Sequence, residues 1–584
     1  MEIRGKIEKE ISNFTSGSSE ISPGVQFSQW NLARRILLFA NQVYPTGKTD
    51  SQGNYKYWFD ITSPRIDTEV KNVDFDTSDV IAFSKPKKDA TAVFLTNGRL
   101  KEWMRENGQA TVINDSIEEF SDWGNVVWKK VKGGYEKVDL KNFYVINQAA
   151  RTLNDTPATE RHQLTQSQLR AKKNVWDSDV IDSLIEKNTN RDTSTTKDGN
   201  PERKESPYYE VYERNGEVSL SDLKEAQEKR VLKGDDTIFV LAKVVMPKEG
   251  DDVLFAEEIS EMPYREAHRG RYNGRWWREG IREKLFEIQT RANEIGNHIA
   301  RGLEWSSKTI FSASSRTAAK NILTDMQSGD VLRDADIKQV DVRMHGLDQL
   351  IADWNRLMTL ADQLCNSYEV ARGETMPSGT PFRLGAMLSI AAGKMFDFLR
   401  EKLALGLKDV FQDWILPDLI KEMKGSDILR ITGNADYIKR FYEIAAEGWY
   451  RRNLWNIGSH TPEQAEVLKE MKIVEWGKSE GDFAKMTKRI FNDFKPRVQI
   501  IITGENVKMA SDLETLSTFA NMEVDPIRRT ALIEMAMAKK GIDVSMLPKS
   551  TPEMLQPASQ ATSKRPTETA ALEKQVLGGG EKTI

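Results

Sequence analysis

Three long stretches between residues 275 and 424 carry apolar side chains at helical spacing. Within 281–303 the apolar residues recur every third or fourth position, which predicts a helix with a narrow stripe of coiled-coil type. A second stripe lies in 347–368, and a third opens at Leu384 and ends at Pro417. The pattern therefore predicts three long helices in the second half of the chain.

The segments between these helices differ from each other. The first connection, 305–345, is mixed in character and has Gly329 near its middle. The second connection, 371–383, is short and predicts a mobile loop at a helix junction. Its turn-forming residues are Gly373, Pro377, Gly379 and Pro381.

The first 250 residues mix helical and β-type patterns. Helical spacing recurs in 27–43 and 160–187. The pairs Gly133-Gly134 and Asn215-Gly216 predict hairpin turns, because glycine adopts the positive φ that a two-residue turn needs. Short apolar runs predict strands at 80–83, 92–95, 125–131, 143–146 and 236–246.

Three segments lack the composition of a folded core. The first 25 residues are polar and rich in Ser and Gly, so we expect a flexible arm. Residues 188–206 contain no apolar side chain and predict an exposed loop. Residues 548–584 are rich in proline, contain no aromatic residue and predict a disordered tail. Between Gly425 and this tail the pattern predicts strands at 428–432 and 495–504, an aromatic-rich helix within 426–456, and helices near 509–521 and 526–540.

Composition narrows the class of protein. The chain has 584 residues, 84 Lys and Arg against 88 Asp and Glu, and a net charge of -4. Nearly balanced charge argues against bulk electrostatic binding of nucleic acid, but it suits a protein that surrounds DNA without holding it. There is no run of 18 apolar residues and no apolar core of a signal peptide, so we expect no membrane association. A single cysteine, Cys365, excludes an intrachain disulfide and favours a reducing compartment.

Short motifs give no positive evidence for catalysis or a metal site. The stretch 45–50 resembles a phosphate-binding loop, but Gln42 stands where the first glycine is needed, so we interpret it as a turn. The acidic stretch 74–79 lacks the glycine and glutamate of a calcium loop. The five histidines show no metal-ligand spacing, and Cys365 lies on the apolar stripe of a helix. We therefore expect no enzyme activity, no cofactor and no metal.

The segment 264–284 stands out because basic and aromatic residues alternate in it. Such a mixture suits contact with phosphates and exposed bases. Equally, these residues suit the solvation of a long helix through ion pairs such as Glu287 with Arg291. The residues concerned are Arg265, Arg269, Arg271, Arg275, Arg278, Arg282 and Lys284, with Tyr264, Tyr272, Trp276 and Trp277.

The order of the predicted elements resembles the portal proteins of tailed bacteriophages. A β-containing region leads to a long helix, a small mixed segment, a second helix, a Gly/Pro loop, a very long helix, and then β and helical segments. Four regions carry the resemblance: MPYREAHRGRYNGRWWREGIREKLFEIQTRANEIGN (262–297), SGDVLRDADI (328–337), TPFRLGAMLSIAAGKMFDFLREKLALGLKDVF (380–411), and 139–169 followed by YYEVYERNGEV (208–218), the last being similar to short-tailed-phage portals.

The resemblance implies an α+β fold of portal type. It divides the chain as follows: a flexible arm at 1–25, the N-terminal part of a β-rich wing at 26–270, a first stem helix at 271–304, a small α/β clip at 305–345, a second stem helix at 346–372, a tunnel loop at 373–383, the tunnel helix and wing return at 384–505, a helical crown at 506–547 and a disordered tail at 548–584.

A portal of this kind has no catalytic activity. The resemblance implies a ring of twelve subunits at one capsid vertex, assembled in the host cytoplasm and then part of the virion. Double-stranded DNA would pass through its channel during packaging, be retained, and later be ejected. The implied partners are the terminase large subunit, the head–tail adaptor or tail proteins, the major capsid protein and a scaffold protein.

Candidate site residues follow from the same resemblance. Near the DNA channel it implies Arg372, Gly373, Glu374, Thr375, Met376, Pro377, Ser378, Gly379, Thr380, Arg383 and Lys394. In the stem it implies Arg271, Arg275, Arg278, Arg282 and Lys284. In the clip, which docks the motor and the adaptor, it implies Lys308, Arg316, Lys320 and Arg333.

Two other classes remain open on the residues alone. One is a nucleic-acid-processing enzyme or accessory factor without a recognisable motif, which would use scattered carboxylates. The other is a different structural protein of the virion, such as a scaffold or an adaptor.

Overall fold

The protein is a mixed α+β fold in which helices pack around several small sheets, which confirms the predicted α+β class. The structure is a computed structural model. It describes residues 2–50, 53–75, 77–84, 89–191, 208–228, 238–248, 252–307, 310–313, 337–340, 346–367, 382–425, 441–450, 453, 461–477, 491 and 494–500. The predicted elements at 428–432, 509–521 and 526–540, the crown at 506–547 and the tail at 548–584 lie outside these residues, as does 192–206 of the predicted exposed loop.

The helices of the first 310 residues are α1 (Glu2–Ser16), α2 (Gln29–Ala40), α3 (Ser63–Val73), α4 (Ala90–Glu106), α5 (Gln109–Trp123), α6 (Gln166–Ala171), α7 (Ser178–Arg191), α8 (Leu220–Glu228), α9 (Ile281–Lys284) and α10 (Phe286–Ser307). Those that follow are α11 (Leu347–Cys365), α12 (Phe382–Val410), a π turn (Phe411–Ile415), α13 (Leu416–Gly425), a helical segment at 441–450, and α14 (Pro462–Gly477). The strands are β1 (Ser19–Ser22), β2 (Val25–Phe27), β3 (Val80–Phe83), β4 (Asn125–Val131), β5 (Gly134–Lys137), β6 (Phe143–Val145), β7 (Ala158–Thr165), β8 (Tyr208–Ser219), β9 (Phe239–Pro247), β10 (Phe255–Glu258), β11 (Tyr264–His268), β12 (Ile310–Ala313), β13 (Ile337–Val340) and β14 (Arg497–Ile500).

Two sheets form the framework of the N-terminal half. One has five antiparallel strands in the order β10-β9-β8-β7-β6, and the other has three in the order β11-β4-β5. The pairing of β4 with β5 confirms the hairpin at Gly133-Gly134, where Gly133 has a φ of 85°. Smaller sheets pair β1 with β2, β12 with β13, and β14 with β3.

The N-terminal segment is ordered, so the expected flexible arm was wrong. Residues 2–16 form α1, which buries Ile3, Ile7, Ile11 and Phe14 against the five-stranded sheet. These residues recur at steps of four, four and three, which places them on one face of a helix. Four well-spaced apolar residues therefore outweigh the polar composition of the segment.

Three further local predictions were wrong. Residues 92–95 lie in α4 rather than in a strand, because a short apolar run does not distinguish the two. The helix expected from 160 begins only at Gln166, after β7. The pair Asn215-Gly216 lies inside the continuous strand β8, where a Cβ at Gly216 would come within 2.7 Å of Pro157. Close approach of a neighbouring strand, and not a turn, requires glycine at this position.

The long helix α12 covers the three-stranded sheet. Its residues Leu403 and Leu407 are fully buried with Trp128 of β4 in the largest apolar cluster. A Cβ at Gly406 would lie 2.8 Å from Ala267 and 2.9 Å from the carbonyl oxygen of Glu266, so the helix and β11 are in backbone contact. This close packing holds α12 in place relative to β11.

The helical path does not end at Pro417. A π turn, Phe411–Ile415, follows α12, and α13 then continues to Gly425. Pro417 occupies the second position of α13, in a first turn whose N–H groups have few helical partners. The helix therefore passes through the proline with a local change in winding.

A buried group of charges joins the two sheets. The Nζ of Lys129 in β4 lies 2.7 Å from Glu160 in β7 and 2.9 Å from Glu213 in β8. Lys243 lies 2.9 Å from Glu213, and His162 lies 3.4 Å from it. Burial alone would raise the pKa of Glu213, but His162 and the two lysines hold it well below its usual range. The sheets are therefore linked by an ion network as well as by apolar contact.

Candidate functional site

The helices α10 and α11 form an antiparallel pair. Lys284, just before α10, donates to the carbonyl oxygen of Leu364 at the end of α11 (2.7 Å), while Arg291 reaches Asp353 (3.6 Å) one to two turns along. Beyond the other end of the pair lie the paired strands β12 and β13. The described residues thus place a two-stranded sheet between two long helices, with α12 following them in the chain.

Burial is confined to one half of this pair. In α11 the buried residues are Ala361 and Cys365, and no residue from Gly346 to Leu360 is buried. In α10 no residue from Asn297 to Glu304 is buried. The half nearest to β12 and β13 therefore has little contact with the rest of the described chain.

An open apolar groove lies on this uncovered half. Its walls are Phe59, Gly296, Ile299, Ala300, Leu303, Ile351 and Trp354. Leu303 is 52% exposed and Ile351 is 42% exposed, although both lie on the apolar stripes of their helices. Amphipathic stripes that are left exposed are typical of surfaces that bind another protein.

A ladder of amide side chains on α10 holds an extended segment of the chain. Asn297 accepts from the backbone N–H of Tyr57 (2.7 Å), and Asn293 accepts from that of Phe59 (2.9 Å). Gln289 accepts from Ile61 (3.1 Å), so every second residue of the segment meets every fourth residue of the helix. Sequence analysis missed this contact, although Gln289, Asn293 and Asn297 at four-residue spacing were the available signal.

The first stem helix begins later than predicted. It was expected from 271, but helical structure starts at Ile281 and becomes continuous at Phe286. The preceding residues contain Gly274, with a φ of 80°, and Gly280, where a Cβ would collide with the backbone at 122–124. Glycine is required there because two backbone segments pass in direct contact, and this contact sets the start of the helix.

Several of the predicted stem residues have partners within the chain. Arg275 pairs with Glu283 (2.7 Å), and Arg282 binds both carboxylate oxygens of Asp122 (2.7 and 3.1 Å). Lys284 donates to the Leu364 carbonyl as described above. These groups tie the start of α10 to neighbouring elements.

Other basic residues of the segment behave in the same way. Arg269 makes a buried bidentate pair with Glu69 of α3 (2.6 and 2.8 Å). Arg265 lies 3.0 Å from Asp413 in the π turn. The expected pair of Glu287 with Arg291 does not form, because Arg291 instead lies near Glu294 and Asp353. Ion pairs between elements, rather than along one helix, account for most of the charge.

Two stem candidates have no carboxylate partner among the described residues, Arg271 and Arg278. Arg271 is exposed. Arg278 is buried, donates to the carbonyl oxygens of Arg275 and Arg151, and places its guanidinium 4.2 Å from the centre of the Tyr272 ring.

The remaining predicted site residues are mostly beyond the described part of the chain. Lys394 is exposed on α12, and Arg383 belongs to the same helix. The residues outside the described ranges are Arg372, Gly373, Glu374, Thr375, Met376, Pro377, Ser378, Gly379 and Thr380 of the tunnel loop, and Lys308, Arg316, Lys320 and Arg333 of the clip.

Cys365 is a buried residue of the core, as its position on an apolar stripe predicted. Burial raises the pKa of its thiol to about 11, and the charges of Arg269 and Lys284 oppose this only in part. Such a thiol is protonated at neutral pH and is a poor nucleophile.

No helix in the described ranges is both long enough and apolar enough to cross a membrane. The sequence matches no protein-family model and shows no significant similarity to a curated protein.

Proposed function

We propose that this chain is the subunit of a portal-type ring of twelve copies at one capsid vertex, through which double-stranded DNA is packaged and ejected. The chain itself does no catalysis in this role. Its proposed partners are further copies of itself, the terminase large subunit, the head–tail adaptor or tail proteins, the major capsid protein and a scaffold protein.

The observation that carries the proposal is the helical pair with half of its length uncovered. The 22 residues of α10 span about 33 Å at about 1.5 Å per residue, and its last turns bury nothing among the described residues. A helix pair of this kind gains stability when a neighbour covers its exposed stripe. A ring of identical chains supplies one such neighbour to every subunit.

The order of the elements supports the same function. The pair α10 and α11 has β12 and β13 between its helices, as a stem has a clip, and α12 follows with 29 residues, or about 44 Å. The nearly balanced net charge suits a channel in which DNA must slide rather than bind tightly.

The first test is the native mass of the purified chain together with a negative-stain image. Twelve copies of the 66.5 kDa chain have a mass of about 800 kDa and should show a ring with a central hole. Because some rings need a scaffold to close, the measurement is repeated after co-expression with candidate scaffold proteins. A chain that remains a 66.5 kDa monomer under both conditions contradicts the proposal and favours the enzyme class.

A further inference from the structure

Two basic residues from other parts of the chain join the unpaired arginines of the arginine-rich segment. Arg151 lies beside Tyr272, with its guanidinium 5.8 Å from the ring centre, while Arg278 lies 4.2 Å from that centre. Lys402 of α12 donates to the carbonyl oxygens of Arg269 (2.8 Å) and Gly270 (3.3 Å), next to Arg271. Arg151, Arg271, Arg278 and Lys402 are called the basic cluster below.

The basic cluster lacks matching negative charge in the described part of the chain. None of its four members forms an ion pair there. The nearby carboxylates are already engaged: Glu69 with Arg269, and Glu283 with Arg275. Glu266 accepts from the indole of Trp276 (2.5 Å) and the backbone of Leu153 (3.1 Å). Four cations therefore share a small region with carboxylates that serve other groups.

The strain of this arrangement is visible in the ionisation of two members. Burial lowers the pKa of Arg278 to about 10, and the charges of Arg151 and Arg275 lower it further against the opposing effect of Glu266. Burial also lowers the pKa of Lys402, and the charges of Arg269, Arg271 and Arg278 add to this effect. An anion bound at the cluster would offset the repulsion among these cations.

The residues are also held in fixed positions. The carbonyl oxygens of Arg275 and Arg151 and the ring of Tyr272 hold the guanidinium of Arg278, which is only 5% exposed. Tyr272 is itself anchored through its hydroxyl to the carbonyl oxygen of Ala149 (3.0 Å). A guanidinium held in place loses little rotamer freedom when it binds, and its planar fork matches the oxygens of a phosphate group.

We propose that the basic cluster is a binding site for phosphate groups, supplied either by the backbone of a nucleic acid or by a free phosphate or pyrophosphate. Arg151 and Arg271 contact the anion from the exposed side, and Arg278 and Lys402 supply fixed positive charge beneath them. The site is formed within one chain and does not depend on the proposed ring.

The test compares the natural chain with the double variant Arg151→Glu and Arg271→Glu. Binding of a fluorescein-labelled 20-base-pair DNA duplex is followed by anisotropy between 50 and 300 mM NaCl, and binding of pyrophosphate is followed by calorimetry. If the anion comes from nucleic acid, the variant should bind the duplex at least tenfold more weakly, with a salt slope shallower by about two. If the source is a free anion, the pyrophosphate signal should be present in the natural chain and lost in the variant.

The matched control carries the same change of charge at a distance. Arg34 and Arg356 are exposed on α2 and α11, and neither forms an ion pair with a described residue, so Arg34→Glu with Arg356→Glu should leave both signals unchanged. The pair Arg151→Lys and Arg271→Lys should retain most of the binding. The proposal is overturned if neither ligand binds, or if the distant control weakens binding as much as the cluster variant does. Neither outcome bears on ring formation, which the native mass tests separately.

Discussion

Replacing Lys129 by methionine should sharply destabilise the fold, because it removes the cation at the centre of the buried ion network. Lys129 is about 6% exposed and lies within 3 Å of both Glu160 and Glu213. Without the cation, two buried carboxylates face each other with only Lys243 and His162 as remaining partners. Removal of one partner from a buried pair typically costs about 3–5 kcal/mol of unfolding free energy.

The neighbouring residue provides a matched control. Lys130 is 41% exposed, points to the other face of β4 and lies 3.4 Å from Glu261. An exposed pair of this kind contributes about 0–1 kcal/mol. The comparison of Lys129→Met with Lys130→Met therefore holds the substitution and the strand constant and varies only the burial of the ion pair.

The assay is equilibrium unfolding in urea at pH 7, followed by tryptophan fluorescence at one protein concentration. We expect Lys129→Met to lose about 3–5 kcal/mol and Lys130→Met to lose less than about 1 kcal/mol. Equal losses for the two variants would refute the assigned role of the network.

The pH dependence gives a second check with a definite sign. The pKa of Glu213 is depressed in the fold, so its stabilising contribution is present above its unfolded pKa and is lost as the pH falls. In Lys129→Met this depression is reduced, and the buried carboxylates take up protons at higher pH. The difference between the variant and the natural chain should therefore shrink between pH 7 and pH 4.

Three further changes test other parts of the structure. Gly406→Ala should cost about 1–3 kcal/mol by pushing α12 away from β11, whereas Gly393→Ala, whose Cβ meets nothing within 4 Å, should be neutral or stabilising in the same thermal melts. Burial raises the pKa of Glu119 to about 7 despite Lys137, so its contribution to stability is full below pH 4.5 and is lost as the pH rises through 7; Glu119→Gln should therefore gain up to about 3 kcal/mol relative to the natural chain between pH 5 and pH 8, and a constant difference over that range would contradict this. Leu303→Asp should abolish any self-association seen by native mass without lowering the melting temperature of the isolated chain, whereas the equally exposed and remote Val175→Asp should leave association intact.

Helices with long stripes could be predicted from the sequence because their period is a local property. The residues of α2, α10 and α11 repeat at three and four positions, and each helix forms within a few residues of its predicted bounds. The same rule applied to α1 would have found it, since Ile3, Ile7 and Ile11 are four residues apart. Composition was the weaker guide at that position.

The candidate site divides along the same line. Its residue types were apparent from the sequence, because arginines and aromatics alternate visibly in 264–284. Which arginines are neutralised was not apparent, since Glu69 and Asp122 are distant in the chain from Arg269 and Arg282. Two of the four members of the basic cluster, Arg151 and Lys402, lie outside the segment altogether.

The sequence by itself determined the α+β class, the three long helices and the location of the charged and aromatic residues, because spacing and composition are written along the chain. Only the tertiary structure decided where α10 begins, how β8 runs through Gly216 and which cations remain unpaired. Each of these depends on contacts between segments far apart in sequence, such as Gly280 against 122–124 or Pro157 against Gly216. The free energy of such contacts arises when distant segments pack together, and it has no local pattern from which to be predicted.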